Sequence, residues 1–158
     1  MSGEKKQDYG LIIDGLNCAT LSREQIERTL AGGIVAMNHT IIRPWDDFEA
    51  SMGLLGRTLD DIASMTDIVT IASSSSDIVR ARAEGRLAII MGSQNSSLVE
   101  NDLALLSILH RLDFRILQLT YNERNQLGDG ATSPDDQGLT DLGHQWVKEM
   151  NRLGMIID

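Results

Sequence analysis

Polar side chains that could hold a small ligand follow five apolar stretches of the sequence. These stretches end in DGLNC at 14–18, NHT at 38–40, GSQN at 92–95, TYN at 120–122 and the single residue Asp158. Function in parallel α/β folds sits at the carboxyl ends of strands, so such residues are expected to meet at one edge of a sheet. The predicted substrate-binding residues, which offer carboxylate, amide and phenol groups, are Asp14, Asn17, Asn95, Tyr121 and Asn122. Each of them, taken singly, also fits an ordinary strand-to-loop transition or a helix cap.

Few of the familiar catalytic patterns are present. Of the three histidines, only His39 stands at a predicted strand end, and no HxH, HxxxH or HExxH pair suggests zinc ligation by paired histidines. Cys18 has no basic neighbour in sequence, so a buried, unreactive thiol is its default interpretation. The patterns GxSxG, GxGxxG and GxxxxGK are all absent, which removes a nucleophile elbow and two phosphate-binding loops from consideration. No catalytic residue is assigned.

The loop at 121–138 is the longest stretch without hydrophobic periodicity, with 18 residues. Loops longer than about 12–15 residues are uncommon in compact domains and are often functional. The alternative is a surface excursion with no role in binding.

The elements that must position these residues alternate between strand and helix. Residues 1–8 form a polar tail, and 9–158 form a single α/β domain with parallel strands and helical crossovers. The predicted strands are 9–14, 33–39, 67–72, 87–91, 114–120 and 155–158. The predicted helices are 22–30, 46–63, 76–85, 98–112 and 140–153, the third of them capped by Ser76 or Asp77.

Composition narrows the class of protein. The 158 residues carry a net charge of −9, and 42% of them are hydrophobic. Such an acidic chain is not expected to bind nucleic acid or an anionic membrane surface. No stretch approaches the ~20 apolar residues of a membrane span, and no signal peptide is recognisable, so a cytoplasmic location is expected. A single cysteine excludes an intramolecular disulfide framework.

Three stretches of this sequence resemble motifs of one enzyme family. They are IIDGLNC at 12–18, GSQNSSLVENDLALL at 92–106, and the segment from 118 to 158 with its LTYN, GLTDLG and EMNRLGMIID elements. From about Tyr9 onwards the chain resembles the N-terminal portion of the renal (membrane) dipeptidases, zinc peptidases of the amidohydrolase type. The resemblance implies a TIM-type barrel and attack of a metal-bound water on the amide carbonyl of a small peptide.

The sequence departs from that family where the resemblance implies metal ligands. A histidine and an aspartate of the first motif are replaced by Leu16 and Cys18, and a bridging glutamate is matched by Gln94. Two neighbouring Zn²⁺ ions need anionic bridging oxygens, because their charges repel strongly in a dry site. Cys18 and Gln94 remain the candidate metal ligands, but the binuclear zinc site is predicted to be lost.

Two functions stay open on these grounds. The first is a dipeptidase-like metallohydrolase, or a subunit or truncated piece of one, that acts on a small peptide or amide. The second is a non-catalytic half-barrel that binds a small molecule or a partner. Since a complete barrel needs about 250 residues, a partial (β/α) TIM-type barrel, incomplete at the C-terminus, is predicted. Its open edges, at 11–13 and 155–158, are expected to pair in a homo-oligomer or with a C-terminal partner polypeptide.

Overall fold

The computed structural model describes residues 10–99 and 102–158, and strands and helices alternate along them. The strands are β1 (Ile12–Asn17), β2 (Ile34–Ile42), β3 (Val69–Ile71), β4 (Leu87–Ser93), β5 (Phe114–Leu117) and β6 (Ile156–Ile157). The helices are α1 (Arg23–Ala31), α2 (Phe48–Ala63), α3 (Ser75–Ala83), α4 (Ala104–Arg111) and α5 (Asp141–Leu153).

All six strands lie in one parallel sheet, in the order β1-β2-β4-β5-β6. Strand β3 also pairs with β4, along residues 87–89, whereas β5 pairs with residues 91–93. Since β2 occupies the other edge of β4, β3 and β5 share one edge of that strand, one after the other. The predicted α/β class, a parallel half-barrel with helical crossovers consistent with part of a TIM-type barrel, is confirmed.

The helices cover both faces of the sheet. One apolar cluster joins residues of α1, α2, α4 and α5 to Met37 on β2, and a smaller cluster joins Ile78 and Ala81 of α3 to Ala36 and Ala88. Ala36 and Met37 are neighbours on one strand, so the two clusters lie on opposite faces. A right-handed crossover gives this arrangement, because the step from β3 to β4 runs back towards β2.

Local sequence fixes where the helices begin and end. Ser22, Asp47, Ser74 and Thr140 each accept a hydrogen bond from the backbone N–H three residues on, as N-cap residues do. Helix α5 ends at Gly154, whose φ of 72° is the left-handed conformation that glycine adopts at little cost. No helix among the described residues is long and apolar enough to cross a bilayer.

Two predictions about the helices are wrong in detail. The helix expected at 98–112 is instead a short 3-10 helix at Ser97–Val99 and α4, because the Asp102 carboxylate accepts from Ala104 N at 2.8 Å and starts a new helix there. Residues 100 and 101 lie outside the described residues. The cap of α3 is Ser74 rather than Ser76 or Asp77, since Ser74 Oγ accepts from Asp77 N, while the Asp77 carboxylate accepts from Ser73 N at 3.1 Å, ahead of the helix.

Strand β1 also differs from the prediction. It continues to Asn17, which pairs with His39, so Asp14 lies inside the strand rather than at its end. The apolar run at 9–14 is typical of a strand buried on both faces, yet Leu11, Ile13 and Leu16 are exposed. The physical reason is that, among the described strands, β1 pairs with β2 alone. The polar tail predicted at 1–8 lies outside the described residues.

Candidate functional site

Two adjacent cavities lie where β1, β2 and β4 end and the chain leaves β5. The first has a volume of about 580 Å³ and extends from Cys18–Leu21 and His39 to the face of α2 that carries Arg57 and Asp61. The second, of about 460 Å³, lies between Asn95 and the segment 121–125. Both volumes are in the range of small-molecule sites.

The structure brings together most of the residues proposed from sequence. Cys18, Gln94 and Tyr121 line the first cavity. Asn95, Tyr121 and Asn122 line the second.

Asp14 and Asn17 line neither cavity, because their side chains bond to the chain around them. Asn17 Nδ2 donates to Asp14 Oδ2 at 3.0 Å, and Leu16 N donates to Asp14 Oδ1 at 3.2 Å. Asn17 Oδ1 in turn accepts from Ala19 N at 3.0 Å. Their part is to shape the end of β1, which carries Cys18.

Cys18 and Gln94 are in contact across the first cavity. The exposed Cys18 thiol donates to Gln94 Oε1 over 3.4 Å. Leu16, at the third position where the resemblance implies a ligand, has no donor atom. No group of three or more His, Cys, Asp or Glu residues that could hold a metal comes together in the described ranges 10–99 and 102–158. One thiol and one neutral amide do not fit a carboxylate-bridged pair of zinc ions.

His39 borders the same cavity but is almost closed off, with 6% of its surface exposed. Burial lowers the pKa of His39, and a hydrogen bond to the backbone of Asn17 opposes that shift. Its Nδ1 atom is buried without a partner among the described residues. His39 is therefore a neutral ring at pH 7 that supports the end of β1 rather than a base open to solvent.

Asn95 joins the walls of the second cavity. Its Nδ2 donates to Pro44 O at 2.8 Å, and its Oδ1 accepts from Ser96 N and from Asn125 Nδ2, both at 2.8 Å. Both ends of the amide are thus engaged in holding the β2–α2 loop and the 121–125 segment together. Asn95 therefore fixes the shape of this cavity as well as lining it.

Asn125, which sequence reasoning missed, organises the long loop. Its Nδ2 donates to Leu119 O at 2.8 Å as well as to Asn95, and its Oδ1 accepts from Leu127 N at 2.8 Å. Thr140, the cap of α5, also bonds back to Gln126 O at 2.8 Å. The loop is consequently a fixed wall. The only sequence signal was an asparagine inside a glycine-bearing segment, which does not identify its partners.

Close backbone approaches fix the same wall. An added Cβ at Gly143 would lie 2.1 Å from Leu127 O, and one at Gly130 would lie 2.5 Å from Asn122 O. On the sheet, a Cβ at Gly92 would lie 2.1 Å from Asn38 Oδ1, while Asn38 Nδ2 donates to Gly15 O at 3.0 Å. At each of these glycines, the space that a side chain would fill is occupied by atoms from another segment of the same chain.

Comparison with known proteins gives one family match and several relatives. Residues 20–158 match the model of the membrane dipeptidase family (peptidase family M19). The dipeptidase tcpJ of Claviceps purpurea is 34% identical over 125 residues, covering 78% of this chain and 28% of that protein. The dipeptidase verJ of Clonostachys rogersoniana is 27% identical over 165 residues, covering 92% and 42%.

A solved structure extends this similarity to the fold. An amidohydrolase from Pseudomonas aeruginosa superposes with a TM-score of 0.89 at 32% identity, over 94% of this chain and 45% of that one. The chain thus spans less than half the length of each of these three relatives.

Proposed function

This chain belongs to the membrane dipeptidase family, peptidase family M19, and on that premise we propose a function for the two adjacent cavities, together called the cleft. The cleft binds a small peptide or amide for dipeptidase-like hydrolysis. The resemblance drawn from the sequence motifs is confirmed by the family match and by the dipeptidase relatives. The observation that carries the proposal is the cavity of about 580 Å³ at the strand ends, with Cys18, Gln94 and Tyr121 in its lining.

The metal chemistry of the family enters this proposal only in part. Metallopeptidases use a bound metal to activate water and to polarise the amide carbonyl, and zinc is the metal that the resemblance implies. Leu16, Cys18 and Gln94 do not supply the anionic donors of a binuclear centre. No step through such a centre is assigned to these residues.

What these residues can do is bind and orient the substrate. Gln94 Oε1 already accepts from Cys18, so its NH₂ group remains as a donor for a substrate carbonyl. The Tyr121 hydroxyl and the exposed Asn122 amide offer further polar contacts along the two cavities. The proposed role of the described cleft is to hold the peptide across these groups.

A panel of dipeptides tests the hydrolase. The purified protein is assayed for release of free amino acids with and without added Zn²⁺, and its metal content is measured after gentle purification. We expect hydrolysis that Gln94→Ala weakens through a higher KM, with Gln145→Ala on the exposed surface of α5 as the matched control. Failure of every dipeptide to be cleaved under both conditions would refute the proposal.

A second candidate function is binding without catalysis, and Leu16 and Gln94 favour it. A triple variant, Leu16→His with Cys18→Asp and Gln94→Glu, restores the donor types that the resemblance implies. If the natural chain binds peptide without cleaving it, the triple variant is expected to gain zinc, measured as metal bound per chain. Two tightly bound zinc ions in the unmodified protein would overturn the argument from the donors.

We also propose that the outermost strands pair with a further polypeptide, either a second copy or a separate C-terminal partner. Ile13 on β1 and Ile156 on β6 are exposed apolar side chains on strands that each have one neighbour among the described strands. Sedimentation at micromolar concentration tests this proposal, and a monomer with a sharp thermal transition would contradict it. A cytoplasmic location is proposed with it and is tested by cell fractionation.

A further inference from the structure

Three ring-bearing residues are common to both cavities. Pro44, Trp45 and Tyr121 line the cavity of about 580 Å³ and also the cavity of about 460 Å³. They therefore form the border that a ligand occupying both cavities would have to cross. Many of the remaining lining groups are polar, so this border is a place where an apolar group of a ligand would find matching surface.

The loop that carries Trp45 is held by contacts of the residues before and after it in the chain. Arg43 pairs with the buried Asp46 carboxylate through two bonds, Nε to Oδ2 at 2.8 Å and Nη2 to Oδ1 at 3.0 Å. Between them, Pro44 O accepts from Asn95 Nδ2 at 2.8 Å. Because the loop is fixed at these points, Trp45 is presented in a set place.

Trp45 is also unusually open for its type. It is 72% exposed, more than any other large hydrophobic residue in the described part of the chain, whereas Trp146 is completely buried. The Arg43 guanidinium lies over the Trp45 ring, 5.8 Å from its centroid, and this contact leaves most of the ring open. Leaving a Trp ring in water forgoes the burial energy that folding normally gains from it.

We infer that Pro44, Trp45 and Tyr121 form a side-chain subsite for an aromatic or bulky apolar group of the ligand. The inference rests on the proposed function, since it takes the ligand to be a small peptide or amide. Offset stacking on Trp45 and Tyr121 would favour a flat ring over a methyl group. The subsite would select among peptides by side chain and would take no part in bond cleavage.

Two uncharged probes test the subsite without requiring hydrolysis of a dipeptide. They are N-acetyl-L-phenylalaninamide and N-acetyl-L-alaninamide, which differ only in the ring. The chain has two tryptophans, one exposed and one buried, so iodide quenching of fluorescence reports on Trp45 alone. We expect the phenylalanine probe to protect Trp45 from iodide at concentrations at least about tenfold below those at which the alanine probe does so.

Variants test whether the preference for the phenylalanine probe depends on the Trp45 ring. In Trp45→Ala, binding followed by ligand-observed NMR should lose the tenfold difference between the probes, and Trp45→Phe should keep most of it. Val79→Ala is the matched control, because Val79 is an exposed apolar residue on α3 that lines neither cavity. Trp45 is exposed, so these variants are expected to fold like the natural chain.

The outcomes separate this inference from the proposed hydrolase. Equal affinity for the two probes, no affinity for either, or an unchanged preference in Trp45→Ala would overturn the subsite even if dipeptides are cleaved. A ring preference that depends on Trp45 would support the subsite even if no dipeptide is cleaved. A surface that instead captures only whole proteins through Trp45, with neither probe protecting the ring, also overturns it.

Discussion

The two sides of the cleft are held in place by different means. On one side, β1 pairs with β2 alone among the described strands, Leu11, Ile13 and Leu16 are exposed, and the exposed Cys18 follows the last residue of the strand. On the other, the loop after β5 is fixed by the four hydrogen bonds of the Asn125 amide to residues of two segments, and by glycines against which the backbone packs.

Donor atoms can therefore change on the β1 side of the cleft without loss of the fold. The positions at which the family resemblance implies metal ligands, Leu16 and Cys18, lie on the lightly held side. A substitution there alters the donor atoms and little else. Substitutions on the loop side act on the shape of the cleft, because each one removes or obstructs several contacts at once. Four predictions test this contrast.

The largest effect is expected for Gly143→Ala. Its new methyl group would overlap Leu127 O, 2.1 Å away, so the loop or the start of α5 must shift, at a cost of about 3 kcal/mol in unfolding free energy. Gly56→Ala is the matched control, since nothing lies within 4 Å of a Cβ there. Alanine in the middle of α2 should raise stability by about 0.5–1 kcal/mol. Urea denaturation measures both, and similar values for the two variants would break the contrast.

The next effect concerns Asn125→Ala, which leaves the Leu127 N–H without its partner and removes one of the two donors to the Leu119 carbonyl, the other being Ser96 Oγ. Loss of these bonds should lower the unfolding free energy by about 2 kcal/mol. Asn122→Ala is the control, because only the backbone carbonyl of Asn122 accepts hydrogen bonds, and the substitution keeps it. Thermal unfolding monitored by circular dichroism compares the two. An equal loss in both variants would show that the loop is not held by the Asn125 side chain.

The third prediction is a pH dependence within the loop. The Arg124 guanidinium, 2.7 Å from Asp129 Oδ2, and the Gln137 N–H hold the pKa of Asp129 below its usual value. A carboxyl group with a lowered pKa stabilises the fold above its unfolded-state pKa, and that contribution is lost as the pH falls through the folded-state value. Asp129→Asn should therefore unfold at a lower temperature than the natural chain at pH 7, and the gap should close towards pH 3.

The exposed Asp135 provides the control for that measurement. It makes no hydrogen bond or ion pair with the described residues, so Asp135→Asn should follow the natural chain at every pH. Melting temperatures measured across the pH range in parallel decide the matter. A gap for Asp129→Asn that persists unchanged at pH 3 would mean that the carboxylate charge is not what stabilises the loop.

The smallest effect is expected for Cys18→Ser on the β1 side. The exposed thiol contributes one long bond to Gln94, so the change in unfolding free energy should stay within about 0.5 kcal/mol. The same variant should abolish labelling by iodoacetamide, since the chain has one cysteine. A loss of stability comparable to that of Asn125→Ala would end the distinction between the two sides.

Local patterns in the sequence predict most of the strands and helices of the fold. The helices predicted at 22–30 and 140–153 are confirmed as α1 and α5, with Ser22 and Thr140 as their N-caps and Gly154 just after the end of α5. Two kinds of interaction caused the errors. At Asp102 a local side-chain hydrogen bond to the backbone starts a new helix, and in β1 pairing with β2 extends the strand to Asn17. Neither choice can be read from hydrophobic periodicity alone.

The candidate site is harder to predict from the sequence than the fold. Reading polar residues at strand ends found Cys18, Gln94 and Tyr121, because parallel strands present their ends at one edge. It did not find Asn125, whose partners are up to 30 positions away in the chain. Nor did it find the exposure of Trp45, because the sequence pattern does not distinguish a buried tryptophan from an open one.

Strand β4 has neighbours along both of its edges, with β2 on one and β3 and β5 on the other, and nearly all of its side chains are buried. Its backbone amides can meet solvent only when the sheet as a whole comes apart. In native-state hydrogen exchange, the protection of β4 should therefore equal the global free energy of unfolding. The amides of β1, which need only one strand to separate, should exchange earlier through a local opening of the cleft.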